Sequence, residues 1–110
     1  MRSDPQLVKG TVRLLILKLL DSEPMYGYQM IQHLEHRSEG YFRIGEGALY
    51  PLLHEMEHQG FLRARWVEQG GRRRRYYRVT AKGRKELARR LQQWRGLSRA
   101  VTLVTEASHA

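Results

Sequence analysis

The chain has 110 residues and a formal net charge of +9, with 20 Lys or Arg, 11 Asp or Glu and no Cys. This length predicts a single domain with a modest core, and the lack of Cys excludes disulfide scaffolds, thiolate zinc sites and Cys nucleophiles. The longest strongly apolar stretch, residues 14–20, is interrupted by Lys18 and falls far short of the ~20 residues that a membrane span needs.

Apolar periodicity predicts three helices in the first part of the chain. The first, over 7–21, is apolar at nearly every helical angle, which predicts burial on more than one side. The second is predicted over 25–37 and the third over about 45–59, where Gly60 ends it as a C-cap glycine. Because proline is costly inside a helix, the regular turns of the third helix are expected to begin only shortly before Pro51.

A β-hairpin is predicted after the third helix. Residues 61–67 and 75–79 are rich in β-branched and aromatic types, and the segment 68–71 between them reads as a turn. This spacing places the arginine run, Arg72–Arg75, at the tip of the hairpin. Positive charge is concentrated in this region, since residues 61–110 carry a net charge of +11. Such an uneven distribution predicts a polyanionic partner.

A long helix is predicted from Ala81 to about Thr105, with Thr80 as its N-cap. Along it runs a heptad-like seam, which predicts that the helix pairs with a second copy in a homodimer. The seam consists of Leu87, Leu91, Trp94, Ser98, Val101 and Thr105.

On a helical wheel the third helix has two distinct faces. The core face carries Leu49, Leu52, Leu53 and Met56, and the opposite face carries Gly47, Tyr50, Pro51, His54 and His58. Together the elements predict a mostly α (α+β) fold, a winged helix-turn-helix with a two-stranded wing and a long C-terminal dimerisation helix. We expect a DNA-binding domain over 1–80 and a dimerisation helix and tail over 81–110. The third helix would enter a major groove while the wing arginines contact phosphates.

Four motifs resemble the PadR family of transcriptional regulators over roughly residues 8–105. They are Tyr26-Gly27-Tyr28, Gly47-Ala48-Leu49-Tyr50-Pro51-Leu52-Leu53, Glu57-x-x-Gly60-Phe61-Leu62 and the segment from Gly70 to Gly83 that contains the arginine run. The resemblance implies a bacterial, cytoplasmic homodimer that represses transcription at operator DNA, often released by a small aromatic or hydrophobic effector. The chain departs from the family at Ala48, where a hydroxyl residue is more common.

These arguments single out two groups of binding residues and no catalytic residue or cofactor. The effector group is Trp94 with Leu14 and Leu17, because an indole offers a broad apolar face for stacking. The DNA-binding group is Gly47, Ala48, Tyr50, Pro51, His54, Arg72, Arg73, Arg74, Arg75 and Tyr76.

Two alternatives remain open. The basic face could bind an acidic protein partner instead of DNA. The segment from His54 to His58 also matches the H-E-x-x-H pattern, in which two histidines hold zinc and the glutamate, here Glu55, acts as base. A zinc hydrolase would need a third ligand and a substrate cleft, and the sequence indicates neither.

Overall fold

The computed structural model describes residues 5–106 as four helices and a three-stranded antiparallel sheet of order β1-β3-β2. This confirms the predicted winged helix-turn-helix with a long last helix. The first residues of the predicted DNA-binding domain, 1–4, and the last residues of the predicted dimerisation segment, 107–110, lie outside the described residues. The elements are α1 (Pro5–Ser22), β1 (Met25–Tyr26), α2 (Gly27–Arg37), α3 (Glu46–His58), β2 (Leu62–Gln69), β3 (Arg72–Val79) and α4 (Ala81–Thr105).

The core forms where α1, α2 and α3 pack against one face of the sheet. As predicted from its composition, α1 is buried on several sides, and both Ile16 and Leu17 are fully inaccessible. The predicted core face of α3 is confirmed, because all four of its apolar side chains are at most 7% exposed. Each such side chain contributes roughly 1.5–3 kcal/mol on burial. Within residues 5–106, no helix combines the length and apolar character needed to cross a membrane.

The sheet has a short third strand that was not predicted. Met25 and Tyr26 pair with Tyr77 and Tyr76 of β3, so α2 begins at Gly27 instead of residue 25. The side chain of Gln29 accepts a hydrogen bond from the Tyr26 N–H at 3.1 Å, which caps the helix at that point.

Pro51 lies inside α3, contrary to the predicted late start of that helix. The helix already begins at Glu46, so the ring replaces an N–H that would bond to the Gly47 carbonyl. Gly47 and Pro51 are both exposed. The carbonyl without a helical donor therefore lies on the solvent side, where water can satisfy it.

The sequence predicted that the arginine run lies at the tip of the hairpin, but the run lies within β3. The two strands extend in register to the pair Gln69 and Arg72, so the turn contains only Gly70 and Gly71. Both glycines have positive φ, 58° and 78°, as a two-residue hairpin turn requires. Successive arginines therefore point to opposite faces of the sheet.

The start of α4 is tied to the loop that leads into the hairpin. Thr80 accepts a hydrogen bond from the Gly83 N–H at 3.0 Å, as predicted for an N-cap, and donates to the Gly60 carbonyl at 2.7 Å. Further along the helix, Leu87 is only 7% exposed and Leu91 packs against the same core. The predicted place of Leu87 in a dimer seam stays a prediction, and within one chain its side chain is already covered by the core.

Glu86 on α4 receives hydrogen bonds from Arg89 and Arg90, each with a closest distance of 2.7 Å. These bonds, that from Arg89 foremost, lower the pKa of the Glu86 carboxyl from 4.5 to about 2. Because the charged form is favoured in the folded state, its contribution is present above pH 4.5 and lost as the pH falls towards 2.

We expect Glu86→Gln to lower the free energy of unfolding by about 1 kcal/mol at neutral pH, since solvent screens the pair with Arg89, whose side chain is 53% exposed. Urea unfolding at neutral and acidic pH measures the difference, which should shrink as the pH is lowered. Glu23→Gln, at an exposed position, is the control. A difference that does not depend on pH would contradict the assignment.

Candidate nucleic-acid interface

An open groove of about 890 Å³ separates the hairpin from the start of α2 and from α3. All four arginines of the run line it, together with five aromatic residues. Its α3 side includes the exposed His54 and the first helical residue, Glu46. The groove therefore places the predicted reading helix and the predicted wing side by side. Its aromatic members are Tyr26, Tyr28, Tyr50, Trp66 and Tyr77.

The exposed face of α3 agrees with the helical wheel except at Tyr50. Gly47, Ala48, Pro51 and His54 are all exposed. Tyr50 is half-buried, and its ring packs against the first residue of α2.

The Tyr50 hydroxyl lies so close to Gly27 that a Cβ at position 27 would be 2.6 Å from the hydroxyl oxygen. Burial, and secondarily the charge of Glu46, raise the pKa of this hydroxyl above its ordinary value of 10.0. The hydroxyl therefore stays protonated at neutral pH and is available as a donor at the edge of the groove.

The strand pleat divides the arginine run between two faces of the sheet. The inner face, towards α3 and the core, carries Arg73 and Arg75, and the outer face carries Arg72 and Arg74. Two of these side chains stack on aromatic rings. The Arg73 guanidinium lies 4.9 Å from the Trp66 ring centroid, and that of Arg74 lies 4.6 Å from the Tyr26 ring centroid. Stacking restricts both guanidiniums before any ligand binds.

Arg75 has an internal partner that the sequence did not indicate. Its Nη2 donates to both carboxylate oxygens of Glu57 on α3, at 2.9 and 3.2 Å. The side chain is only 34% exposed, so much of its charge is compensated within the chain. Arg75 therefore connects the wing to α3, in contrast to the free phosphate-binding side chain that the run predicted.

Tyr76 lies on the outer face beside the short strand β1. Its ring packs edge-on against Tyr26, with centroids 5.3 Å apart, and its hydroxyl donates to the Gln69 side chain at 2.8 Å. Tyr76 is half-buried by these contacts. Its ring therefore stabilises the outer face and remains partly exposed.

The H-E-x-x-H segment presents its two histidines to solvent, but its glutamate is already paired. Glu55 lies 2.8 Å from the Arg13 guanidinium. No cluster of three or more metal-binding side chains occurs in the part of the chain that the structure describes. The zinc-hydrolase alternative thus has neither a free base at Glu55 nor a third ligand within residues 5–106.

The predicted effector group is not an exposed cluster in one chain. Leu14 and Leu17 are 7% and 0% exposed, because both pack into the core. Trp94 is 47% exposed on the part of α4 that extends beyond the core. The ligand cleft predicted between two subunits therefore stays a prediction; within one chain Leu14 and Leu17 are covered, and Trp94 is the exposed member of the group.

Sequence reasoning missed two groups of exposed residues. One is the set of arginines outside the run, Arg63, Arg65 and Arg78, whose common face follows from strict alternation along the strands. The other comprises apolar side chains near the end of α4: Leu97, Leu103 and Val104. Steps of three and four residues from Trp94 through Leu97 and Val101 to Val104 could have revealed Leu97 and Val104.

The chain is similar to known transcriptional regulators over most of its length. Residues 16–89 match the model of the transcriptional regulator PadR-like family. A PadR family transcriptional regulator from Eggerthella lenta is 34% identical with a TM-score of 0.80, covering 94% of this chain and 88% of that one.

Two further transcriptional regulators are similar to this chain in fold or in sequence. A transcriptional regulator from Clostridium thermocellum shares the fold, with a TM-score of 0.85 at 24% identity, covering 94% of this chain and 99% of that one. A transcriptional regulator from Mycobacterium tuberculosis is 35% identical over 79 residues, 72% of this chain and 71% of that protein.

Proposed function

The chain belongs to the transcriptional regulator PadR-like family, and from this premise we propose that it binds operator DNA as a homodimer and represses transcription. The observation that carries the proposal is the groove in which the exposed face of α3 adjoins the arginine-bearing wing. A helix of this kind fits the major groove, while flanking arginines neutralise phosphates.

In this proposal the N-terminal part of α3 approaches the bases. Gly47, Ala48 and Pro51 are small or compact and exposed, so they permit close approach of the helix to the duplex. His54 supplies ring nitrogens one turn further along, and the Tyr50 hydroxyl donates from the edge of the groove. Arg72, Arg73 and Arg74 contact phosphates, which sets the register of the helix on the duplex.

A selection of bound sequences from random duplex DNA tests the proposal. We expect a palindrome whose half-sites are about one helical turn apart, because two copies related by a twofold axis present two α3 helices. A reporter gene behind the selected site should then be silenced by the chain. Failure to enrich any sequence would contradict DNA recognition and favour the acidic protein partner. Enrichment with reporter activation would contradict repression alone.

The exposed apolar stripe on α4 supports the homodimer. Trp94, Leu97, Val101 and Val104 follow one another at steps of three and four, and each is between 47% and 81% exposed. Such a stripe beyond the core is typical of a helix that pairs with a partner helix. We propose that residues 1–80 bind DNA and residues 81–110 pair the chains, with Leu87 anchoring α4 to its own core.

Val101→Glu is expected to weaken the dimer about a hundredfold, because an unpaired carboxylate would be buried between the helices. Sedimentation equilibrium measures the dissociation constant. Leu103→Glu is the matched control, since Leu103 is 59% exposed but lies on the opposite side of α4. Equal effects of the two substitutions would contradict pairing through the stripe.

We further propose that a flat aromatic effector stacks on Trp94, which is exposed at the start of this stripe. In a Trp66→Phe background, where Trp94 is the only tryptophan, a library of planar aromatic compounds should contain one that quenches fluorescence saturably. Trp94→Ala, which removes the stacking ring, should abolish binding of that compound by calorimetry. If no compound quenches Trp94, the chain does not use this residue for effector binding.

A further inference from the structure

Most of the hairpin's positive charge lies on the sheet face that points away from α3. Seven arginines occur in β2 and β3, and strand alternation places five of them on the outer face. The opposite, inner face carries buried residues of the core, such as Leu62 and Tyr77. The outer-face arginines are Arg63, Arg65, Arg72, Arg74 and Arg78. Arg72 and Arg74, next to the turn, also line the groove beside α3, whereas the other three do not.

Among residues 5–106, no outer-face arginine has an ion-pair partner, whereas the inner-face Arg75 has one. Arg73 stands opposite Glu68 in the register, and Arg75 is paired with Glu57 at 2.9 Å. On the outer face, Arg63 stands directly opposite Arg78, an arrangement of like charges that destabilises a sheet. Within residues 5–106, none of the five outer-face arginines forms an ion pair with a carboxylate.

Aromatic rings make part of the outer face rigid. Tyr26 and Tyr76 pack edge to face with their centroids 5.3 Å apart, and the Arg74 guanidinium stacks on Tyr26. Arg65 stands opposite Tyr76 on the neighbouring strand. A β-sheet fixes the backbone positions of these arginines, and stacking on Tyr26 restricts the Arg74 side chain, so less conformational entropy is lost when they bind an anion than on a loop.

We propose that the outer face binds phosphates of duplex DNA beyond the segment that α3 reads. The inference rests on the proposed function in taking duplex DNA as the ligand, but it adds Arg63, Arg65 and Arg78, which lie outside the groove. A duplex presents one negative charge per roughly 1.7 Å of axis, so several uncompensated arginines on one face can each neutralise a phosphate. Protein interfaces are instead depleted of charge at their centre, and this face offers few apolar side chains apart from the tyrosines and Val67.

The position of the face has a consequence for the length of DNA bound. It lies on the side of the sheet opposite α3, whose Glu57 contacts the inner-face Arg75. A duplex seated on α3 must therefore extend past the wing, and curve around it, to reach Arg63 and Arg78. We accordingly expect DNA that flanks the operator to add affinity in a sequence-independent way.

The test compares a triple variant, Arg63→Gln with Arg65→Gln and Arg78→Gln, with the wild-type chain. These three arginines are outside the groove residues and exposed. A second triple variant, Lys85→Gln with Arg95→Gln and Arg99→Gln, removes equal charge from exposed positions on α4 and is the matched control. Thermal unfolding of all three proteins verifies that the surface substitutions leave the fold intact.

Affinity is measured over a range of salt concentrations on the selected site in a minimal duplex and in one extended by about 20 base pairs on each side. The wild type and the α4 control should bind the extended duplex roughly tenfold more tightly than the minimal one, with a steeper salt dependence. The outer-face variant should bind the minimal duplex like the wild type and lose this gain. The inference is overturned if the outer-face variant keeps the higher affinity for the extended duplex, or if the wild type does not show it. Either result would favour an acidic protein as the partner of this face.

A duplex of about 60 base pairs with unrelated sequence separates this inference from the proposed function, because phosphate contacts do not depend on sequence. The outer-face variant should bind it several-fold more weakly than the α4 control. Loss of site selection by the wild type would contradict operator recognition only. Equal affinity of the two variants for unrelated DNA would overturn the outer-face site even if operator recognition holds.

Discussion

Gly83→Ala is expected to remove about 3 kcal/mol from the free energy of unfolding, a large part of what a domain of this size has. The Cβ of an alanine would lie 2.2 Å from the Phe61 carbonyl oxygen and 2.6 Å from a methyl group of Val79. The nearest atom belongs to the backbone, so no side-chain rotation can relieve the overlap. The first turn of α4 would have to move away from the sheet.

Neither side of this contact can move without losing hydrogen bonds. The Phe61 carbonyl accepts a bond from the Thr80 N–H at 3.0 Å, and the Gly83 N–H donates to the Thr80 hydroxyl at 3.0 Å. Displacement of α4 would break the N-cap and expose the underlying apolar side chains. The loss should therefore appear in overall stability and not as a local change.

Gly96→Ala is the matched control, because it adds the same methyl group to the same helix where no atom lies within 4 Å. In an exposed helical position alanine is favoured over glycine by about 0.5–1 kcal/mol, so this variant should be more stable than the wild type. Urea unfolding at one fixed protein concentration measures both changes. Two variants of equal stability would contradict the close packing at Gly83.

Arg73→Ala combined with Arg74→Ala is expected to weaken operator binding by about a hundredfold at physiological salt and to flatten its salt dependence. The two guanidiniums lie on opposite faces of β3, and each stacks on an aromatic ring that limits its freedom. Their removal deletes two phosphate contacts per chain while leaving the reading face of α3 unchanged. Sequence preference should therefore stay the same.

Titration of the selected site and of single-base variants at several salt concentrations measures this result. Lys85→Ala with Arg95→Ala removes the same charge from exposed positions on α4 and should have a much smaller effect. Arg75→Ala is expected to weaken the link between the wing and α3 instead of deleting a phosphate contact, because Arg75 is bonded to Glu57 on α3. An unchanged salt slope in the double variant would contradict the wing as a phosphate-binding element.

Local sequence patterns were sufficient for the elements and for the faces of single helices. Three- and four-residue periodicity identified Leu49, Leu52, Leu53 and Met56 as core, and all four are buried. Thr80 was recognisable as an N-cap because a hydroxyl that precedes a helix can bond within its own first turn. Such features depend on residues close together in the chain, so the sequence specifies them directly.

Where the structure differs from the sequence-based prediction, the residues in contact are far apart in the chain. An apolar pattern predicts that Leu17, Leu87 and Trp94 are each buried. It does not indicate whether the residues that bury them belong to the same chain or to a partner. The same holds for charge: Arg75 differs from its neighbours only because Glu57, 18 residues earlier, lies within 2.9 Å of it. The sequence alone determined the winged-helix order and the local excess of positive charge. Only the tertiary structure decided which leucines are covered and which arginines stay uncompensated, since burial and ion pairing depend on contacts between distant segments.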